Sequence, residues 1–490
     1  MLCPDNRLRL MTRFFSPLLL LLLVRCPAFG QAYRPRIEPA PCPIKLDPRL
    51  VSTYGYLVVP ENRRRPRGRQ VKVPFLFVRR PTQSATRGVS LYCTGGPGYS
   101  TTANVDSIGY RSGLLKYGGT VLFDQRGTRR AQSYLECPGV PEAVKQAYRT
   151  GGSQDSLVRL AVRRCRKNLT SQGIDLSAYT TQESAEDVND LRRALGLDSL
   201  NLLGISYSGG LMLAVLRAHP EAVRCLLLNS PLPGAVNYEE GGLLNIEEAL
   251  EQVFANYARD SVAQPARGQL RQQFRAYFAA ITGRTFACSY LEPGTRDSIR
   301  VTYTKAELLD AVVSRLNSQQ AATVPGVIRD ILRGRHRPYV REQVDQAFAG
   351  DPALSLGLRY SIWCSEQLAY ADPALGRQQA RVVPWLAGYP FNNVTPALCR
   401  CWSVKPAAPA AKAPVYSDVP VLLTAGGLDP WCRPFYNQLL QRTLPNSQGL
   451  LFPNRGHAPG YGAAGVDYAE LFLAHPGRKL QSTSPEVRVE

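Results

Sequence analysis

The 490-residue sequence predicts an α/β fold, a mostly parallel, doubly wound sheet with a helical lid inserted late in the chain. Three observations lead there. Short β-type runs alternate with helical stretches through the first half, as in a parallel sheet covered on both faces. A mainly helical block then fills about 233–385. Strand-like runs return after it, at Val419–Ala425 and Gly449–Phe452.

Taken in order, Tyr54–Val59 and Val71–Val78 read as a hairpin around a basic turn, Arg63–Arg65 with Arg67. Val89–Cys93 and Thr120–Phe123 are short apolar runs ending at glycine-rich or charged turns. Ser156–Leu169 and Glu183–Leu195 carry apolar residues at helical spacing. Leu200–Ile205 reads as a buried strand, Gly209–Ala218 as a helix and Cys225–Asn229 as a further strand. Inside the later block, Ile246–Tyr257, Leu270–Ile281, Lys305–Leu316 and Pro325–Leu332 keep the helical period. The predicted division is a signal peptide (1–30), a first core part (31–232), the lid (233–385), a second core part (386–480) and a tail (481–490). A block placed between the sixth and seventh strands covers the strands' carboxyl ends, where open α/β sheets bind ligands.

The leader follows from Arg7, Arg9 and Arg13, then the apolar run Phe14–Val24, then Ala28 and Gly30 before a cut at Gln31. The run is too short to cross a bilayer, which takes roughly 20 apolar residues. Arg25 argues against lipidation at Cys26. The chain is therefore expected to be exported, periplasmic or secreted, with no transmembrane segment in its mature form. Ten of the twelve cysteines follow the leader, and outside the cell's reducing pool they read as disulfides. Cys137 with Cys165 is the first pair expected, and Cys364 with Cys399 or Cys401 the second. Spacings such as Cys399-Arg400-Cys401 do not match a zinc site, so neither metal nor cofactor is expected.

The formal charge is +21, and the leader's four arginines and one aspartate leave +18 on the rest. Such a surplus suits weak adhesion to anionic envelope surfaces. The charges are scattered and match no nucleic-acid motif, so no nucleic acid is expected as a partner.

The chemistry centres on Gly204-Ile205-Ser206-Tyr207-Ser208-Gly209-Gly210, which follows a strand and opens a helix. This is a nucleophile elbow, in which a sharp turn lifts a serine hydroxyl clear of the backbone. Ser208 stands where the motif usually has glycine. A serine hydroxyl is inert at neutral pH without a base to take its proton. Of the four histidines, His219 and His475 lie in Ala-His-Pro turns and His336 lies in an arginine-rich stretch. His457 follows the last strand in Asn454-Arg455-Gly456-His457-Ala458, where such a base belongs. Asp429, just past the strand Val419–Ala425, is the carboxylate that would orient it. The order serine, acid, histidine is that of the α/β-hydrolase fold. Thr94-Gly95-Gly96-Pro97-Gly98 follows the third strand, and its Gly96 N–H with the Tyr207 N–H forms the candidate oxyanion hole.

These stretches resemble the exported tripeptidyl and prolyl aminopeptidases of peptidase family S33. The resemblance rests on Tyr54–Asn62, Gly95–Gly98, Asp124-Gln125-Arg126-Gly127-Thr128, Asn201–Gly210, Gly426–Asp429 and Gly456-His457. It implies release of short units from free peptide amino termini through an acyl-enzyme. It further implies a carboxylate for the substrate's ammonium, and Glu366 in Trp363-Cys364-Ser365-Glu366 is the candidate. Asp124-Gln125-Arg126 is expected to organise loops rather than to react. The sequence departs from the family pattern at Thr94, at Arg129-Arg130-Ala131 and at Tyr54, where many relatives carry the cysteine that would pair with Cys42. The substrate is expected to be a peptide or a small ester. The alternatives to an aminopeptidase are an esterase or lipase-like acyl hydrolase with the same triad, and an inactive binding protein on the hydrolase fold.

Overall fold

The computed structural model describes residues 33–259, 268–317 and 319–490. The expected signal peptide lies outside the described residues. The centre of the fold is a ten-stranded sheet. Its strands are β1 (Arg36–Pro39), β2 (Val51–Pro60), β3 (Gln70–Arg79), β4 (Val89–Cys93), β5 (Thr120–Phe123), β6 (Leu200–Ile205), β7 (Val223–Asn229), β10 (Val421–Gly426), β11 (Ser447–Phe452) and β12 (Arg488–Val489). The spatial order is β1-β2-β3-β5-β4-β6-β7-β10-β11-β12. The six strands from β5 to β11 run parallel, and the pairs at both flanks are antiparallel. Parallel strands are covered on both faces, which is why Leu200–Ile205 and Val421–Gly426 read as near-continuous apolar runs. The β2–β3 hairpin is in register from Val51 opposite Arg79 to Pro60 opposite Gln70, with the basic turn at its tip.

Helices α1 (Gly139–Thr150), α2 (Gln154–Ser171), α3 (Thr181–Ala194) and α4 (Tyr207–Ala218) fall between β5 and β7. Ten residues of α4 are buried, because it lies directly on the sheet. Between β7 and β10 the chain leaves the sheet for a mainly helical insertion. It comprises α5 (Gly242–Arg259), α6 (Leu270–Ala280), α7 (Lys305–Val313), α8 (Val324–Leu332), α9 (Arg337–Ala349), α10 (Leu356–Ile362), α11 (Pro373–Val382) and α12 (Pro396–Trp402). The insertion has its own core, in which Phe274 meets Phe278, Phe254 and Trp385. With β1 counted, it enters between the seventh and eighth strands of the main sheet.

Three features differ from the sequence-based expectation. A hairpin, β8 (Phe286–Leu291) with β9 (Ser298–Tyr303), interrupts the helices of the insertion. Its alternation spans six residues per strand, too short a period to stand out among helical neighbours. Helical structure also continues past 385, since α12 packs on α2 of the core and buries Trp402. The segment 481–490, expected as a tail, instead places Arg488–Val489 antiparallel to β11. Leu480 and Val487, both ahead of that strand, are buried and anchor the return of the chain.

Disulfides join Cys137 to Cys165 and Cys364 to Cys399, so Cys399 rather than Cys401 takes the second bridge. The other six of the ten cysteines expected to pair are free: Cys42, Cys93, Cys225, Cys288, Cys401 and Cys432. The first bridge closes 28 residues of α1 and α2. A loop of that length contributes about 3 to 4 kcal/mol by restricting the unfolded chain. Replacing Cys137 and Cys165 with alanine should therefore lower the denaturant midpoint measurably, and an unchanged midpoint would show that the bridge adds nothing. Among the described residues no helix is long and apolar enough to cross a membrane.

Candidate active site

Ser206 sits at the end of β6 and opens α4 with φ 56° and ψ −124°, a conformation L residues rarely adopt. The turn is held from all sides. The Ser206 N–H donates to Asn229 O at 3.0 Å, and its carbonyl accepts from the N–H groups of Gly209 and Leu232. Ser208, the departure from the usual glycine, fits because its hydroxyl is used. It accepts from Ile205 N–H at 2.8 Å and donates to Cys93 O at 2.7 Å, tying the elbow to the end of β4.

Asp429 and His457 come from the loops after β10 and β11, at the same carboxyl edge of the sheet as Ser206. The Asp429 carboxylate is fully buried, and its Oδ1 accepts from the N–H groups of Trp431 (2.8 Å) and Cys432 (2.9 Å). Its Oδ2 lies 2.7 Å from His457 Nδ1. A carboxylate there only accepts, so Nδ1 carries the proton and Nε2 is left with its lone pair. The indole of Trp431 meets the imidazole edge-on at 5.3 Å. Cys432 Sγ stands 3.9 Å from Ser206 Oγ, so one short loop touches both the acid and the serine. The three remaining histidines are used elsewhere. His219 is held by Glu186 and Asn189, His336 is buried between Tyr277 and Tyr303, and His475 lies exposed after a helix.

The glycine loop crosses directly over the elbow. A Cβ on Gly95 would come within 2.4 Å of Ile205 O and 3.3 Å of Tyr207 N, so only glycine lets the two backbones approach this closely. Gly96 follows at φ 119°. Its carbonyl is gripped by Arg359 of α10, whose Nη1 donates at 3.0 Å. The same guanidinium donates to Asn392 and Asn393 and lies over the Trp363 ring. Nothing in the sequence links Arg359 to Gly96, because 263 residues separate them.

Asp124 and Arg126 organise the surroundings. Asp124 accepts from the Ser100 and Thr102 hydroxyls and from Thr102 N–H, which fixes the chain leaving the glycine loop. Arg126, fully buried, forms a two-pronged pair with Asp187 of α3 at 2.8 and 2.7 Å and donates to Glu61 O. Of the departures, Arg129 donates to Pro352 O of the insertion, and Arg130 donates to Thr102 O in the segment that leaves the glycine loop.

Glu366 lies across from Thr181, the first residue of α3. Its carboxylate accepts from Thr181 N–H (2.7 Å) and Thr181 Oγ1 (2.5 Å), capping the first turn of α3. It lines a cavity of about 40 Å³ with Tyr207, whose own hydroxyl meets Thr181. Burial pushes its carboxyl up, and the bonds from Thr181 oppose that. Sequence reasoning passed over a second acid, Glu239, in the short turn Tyr238–Glu240 at the entrance to the insertion. Its carboxylate accepts from Trp363 Nε1 and Asn392 Nδ2, both at 2.7 Å, and burial pushes its carboxyl up. It thus shares Trp363 and Asn392 with Arg359, behind the glycine loop. The only signal in the sequence is a pair of acids soon after the strand that precedes the insertion.

The alpha/beta hydrolase fold family matches residues 114–462, well over half of the sequence. The chain belongs to that family. This α/β-hydrolase is 29% identical over 189 residues to tripeptidyl aminopeptidases of Streptomyces lividans and Streptomyces coelicolor, a match covering 36% of the chain and 34% of each relative. It therefore spans about a third of the length of the curated relatives it matches. Among solved structures, proline iminopeptidase of Mycobacterium smegmatis is 14% identical with a TM-score of 0.34, covering 82% of this chain and 91% of that one. A thermophilic esterase from Thermogutta terrifontis is 16% identical with a TM-score of 0.32, covering 79% and 88%.

Proposed function

We propose that this α/β-hydrolase is a serine hydrolase that releases short units from the amino termini of peptides. The observation that carries the reading is the 2.7 Å contact of Asp429 with His457, in loops that flank a serine held at φ 56°. In the proposed reaction His457 Nε2 takes the Ser206 proton as Oγ attacks the carbonyl carbon. The oxyanion then faces the N–H groups of Gly96 and Tyr207. The imidazolium returns its proton to the leaving amine, an acyl-enzyme forms on Ser206, and water releases the acyl group by the same steps in reverse. The likeness to tripeptidyl aminopeptidases supports peptide amides over other acyl substrates. The two disulfides support export, and the surplus of basic residues supports weak adhesion to anionic envelope surfaces.

An aminopeptidase needs a buried anion for the substrate's ammonium, and Glu366 and Glu239 are two candidates. Thr181 already occupies both oxygens of Glu366, whereas Glu239 sits in the network that grips the glycine loop. The test is a panel of unblocked peptide amides, their acetylated counterparts and short acyl esters. Wild type should prefer the unblocked amides. Glu239→Gln should weaken them by about 30-fold or more, the usual loss when a buried charge pair is broken, and leave esters nearly unchanged. Glu366→Gln should act mainly on stability through the α3 cap, and selective loss on unblocked amides there would assign the ammonium to Glu366 instead. Full activity on acetylated peptides, or a preference for esters, would replace the aminopeptidase reading with an esterase.

A further inference from the structure

A groove of about 520 Å³ runs between α2 and α12, on the outside of the core. Four cations from α2 line it, Arg159, Arg163, Arg166 and Lys167, and Arg400 faces them from α12. From Arg159 to Lys167 the helix rises about 12 Å, so the charges form a track rather than a point. Of these five cations only Arg159 meets a carboxylate among the described residues, Asp155 at 2.9 Å, and that aspartate is 62% exposed. The Nε of Arg166 is buried without a hydrogen-bond partner in the protein.

This arrangement works against the helix that carries it. Arg159, Arg163 and Lys167 stand at successive i, i+4 positions and Arg163 and Arg166 at i, i+3, and like charges so placed each weaken a helix by about 0.2 to 0.5 kcal/mol. A bound anion removes that repulsion. Both walls are also fixed in advance, since the Cys137–Cys165 bridge ties α2 to the segment before α1 and the Cys364–Cys399 bridge ties α12 to α10's continuation. A preformed site loses little conformational freedom on binding.

We propose that the groove binds a linear polyanion through its phosphate groups, separately from the hydrolytic site. Guanidinium forks suit phosphate oxygens, and four of the five cations are arginines. The other lining residues are Ala397, Cys401 and Ser403. None is aromatic, so the groove offers no platform for stacking nucleic-acid bases. Nor does the concave surface carry the aromatic and large apolar side chains that seat a protein in a lipid interface. The occupant is a soluble phosphate polymer held by charge and guanidinium geometry.

The experiment measures binding of labelled inorganic polyphosphate to the full chain by fluorescence anisotropy. With about four phosphates neutralised, affinity should fall about 50-fold between about 50 and 200 mM salt. Arg163→Glu with Arg400→Glu changes two exposed side chains and should weaken binding about tenfold or more, with hydrolysis as in wild type and a thermal midpoint no lower, because the change at 163 relieves the like-charge pairs of α2. Arg65→Glu with Arg67→Glu makes the same change of net charge in the exposed turn of the β2–β3 hairpin and should leave binding within about twofold of wild type. Equal losses in the two double variants would overturn the groove in favour of bulk charge. Binding to phosphatidylglycerol vesicles without binding to polyphosphate would overturn it in favour of a membrane surface. Tighter binding of single-stranded DNA than of polyphosphate would overturn it in favour of a nucleic acid.

Discussion

Ser206→Ala is expected to leave a folded protein whose turnover is lower by about 10⁴- to 10⁶-fold. The change removes one oxygen and keeps every backbone bond of the elbow, namely those to Asn229, Gly209 and Leu232. Alanine and serine also meet the same backbone restriction at φ 56°, so the unusual turn costs both about equally. The thermal midpoint should therefore stay close to wild type while labelling by a fluorophosphonate probe disappears. Ser208 cannot take over, because it is fully buried and its hydroxyl already bonds Ile205 and Cys93. Labelling that persists at Ser208 would refute the choice of nucleophile.

Asp429→Asn should cost about 10⁴-fold in kcat with little change in fold. The reason lies in how the carboxylate is held. Two backbone N–H groups, from Trp431 and Cys432, point at Oδ1, so in the variant the amide oxygen takes that place. The amide NH₂ is then left facing His457 Nδ1, where Oδ2 now accepts at 2.7 Å. Facing a donor, the imidazole must present its lone pair at Nδ1 and carry its proton on Nε2. In that tautomer it cannot accept the Ser206 proton. Single-turnover kinetics on an activated ester would isolate the acylation step, and a loss smaller than tenfold would show that Asp429 does not set the tautomer.

Much of this site is local in the sequence and was legible there. The elbow, the acid just past a strand and the histidine just after β11 are each defined by a few neighbouring residues. The parallel sheet is legible for a similar reason, since strands buried on both faces give unbroken apolar runs. What escaped was built from distant parts. Arg359 gripping Gly96, and Glu239 bonded by Trp363 and Asn392, depend on how the insertion folds back on the sheet. No spacing rule reaches that far. Glu366 shows the converse case, in which a local motif singles out a residue and the fold gives it Thr181 as its partner. Strand β12 escaped because its two residues are set by the chain's return path and not by a pattern of their own.

The insertion is sewn to both loops that flank the serine. His457 N–H donates to Leu316 O at 2.9 Å, and a Cβ on Gly456 would lie 2.0 Å from that same carbonyl. On the other side Ser100 N–H donates to Ala353 O and Ser355 N–H to Gly98 O. A flap hinged to swing clear of the sheet would have to tear these seams, and each tear would displace either the histidine or the glycine loop. The insertion is thus a keystone rather than a shutter. A chimera that exchanges it for a relative's would reset both loops at once, so selectivity could not be transplanted here without disturbing the chemistry beneath it.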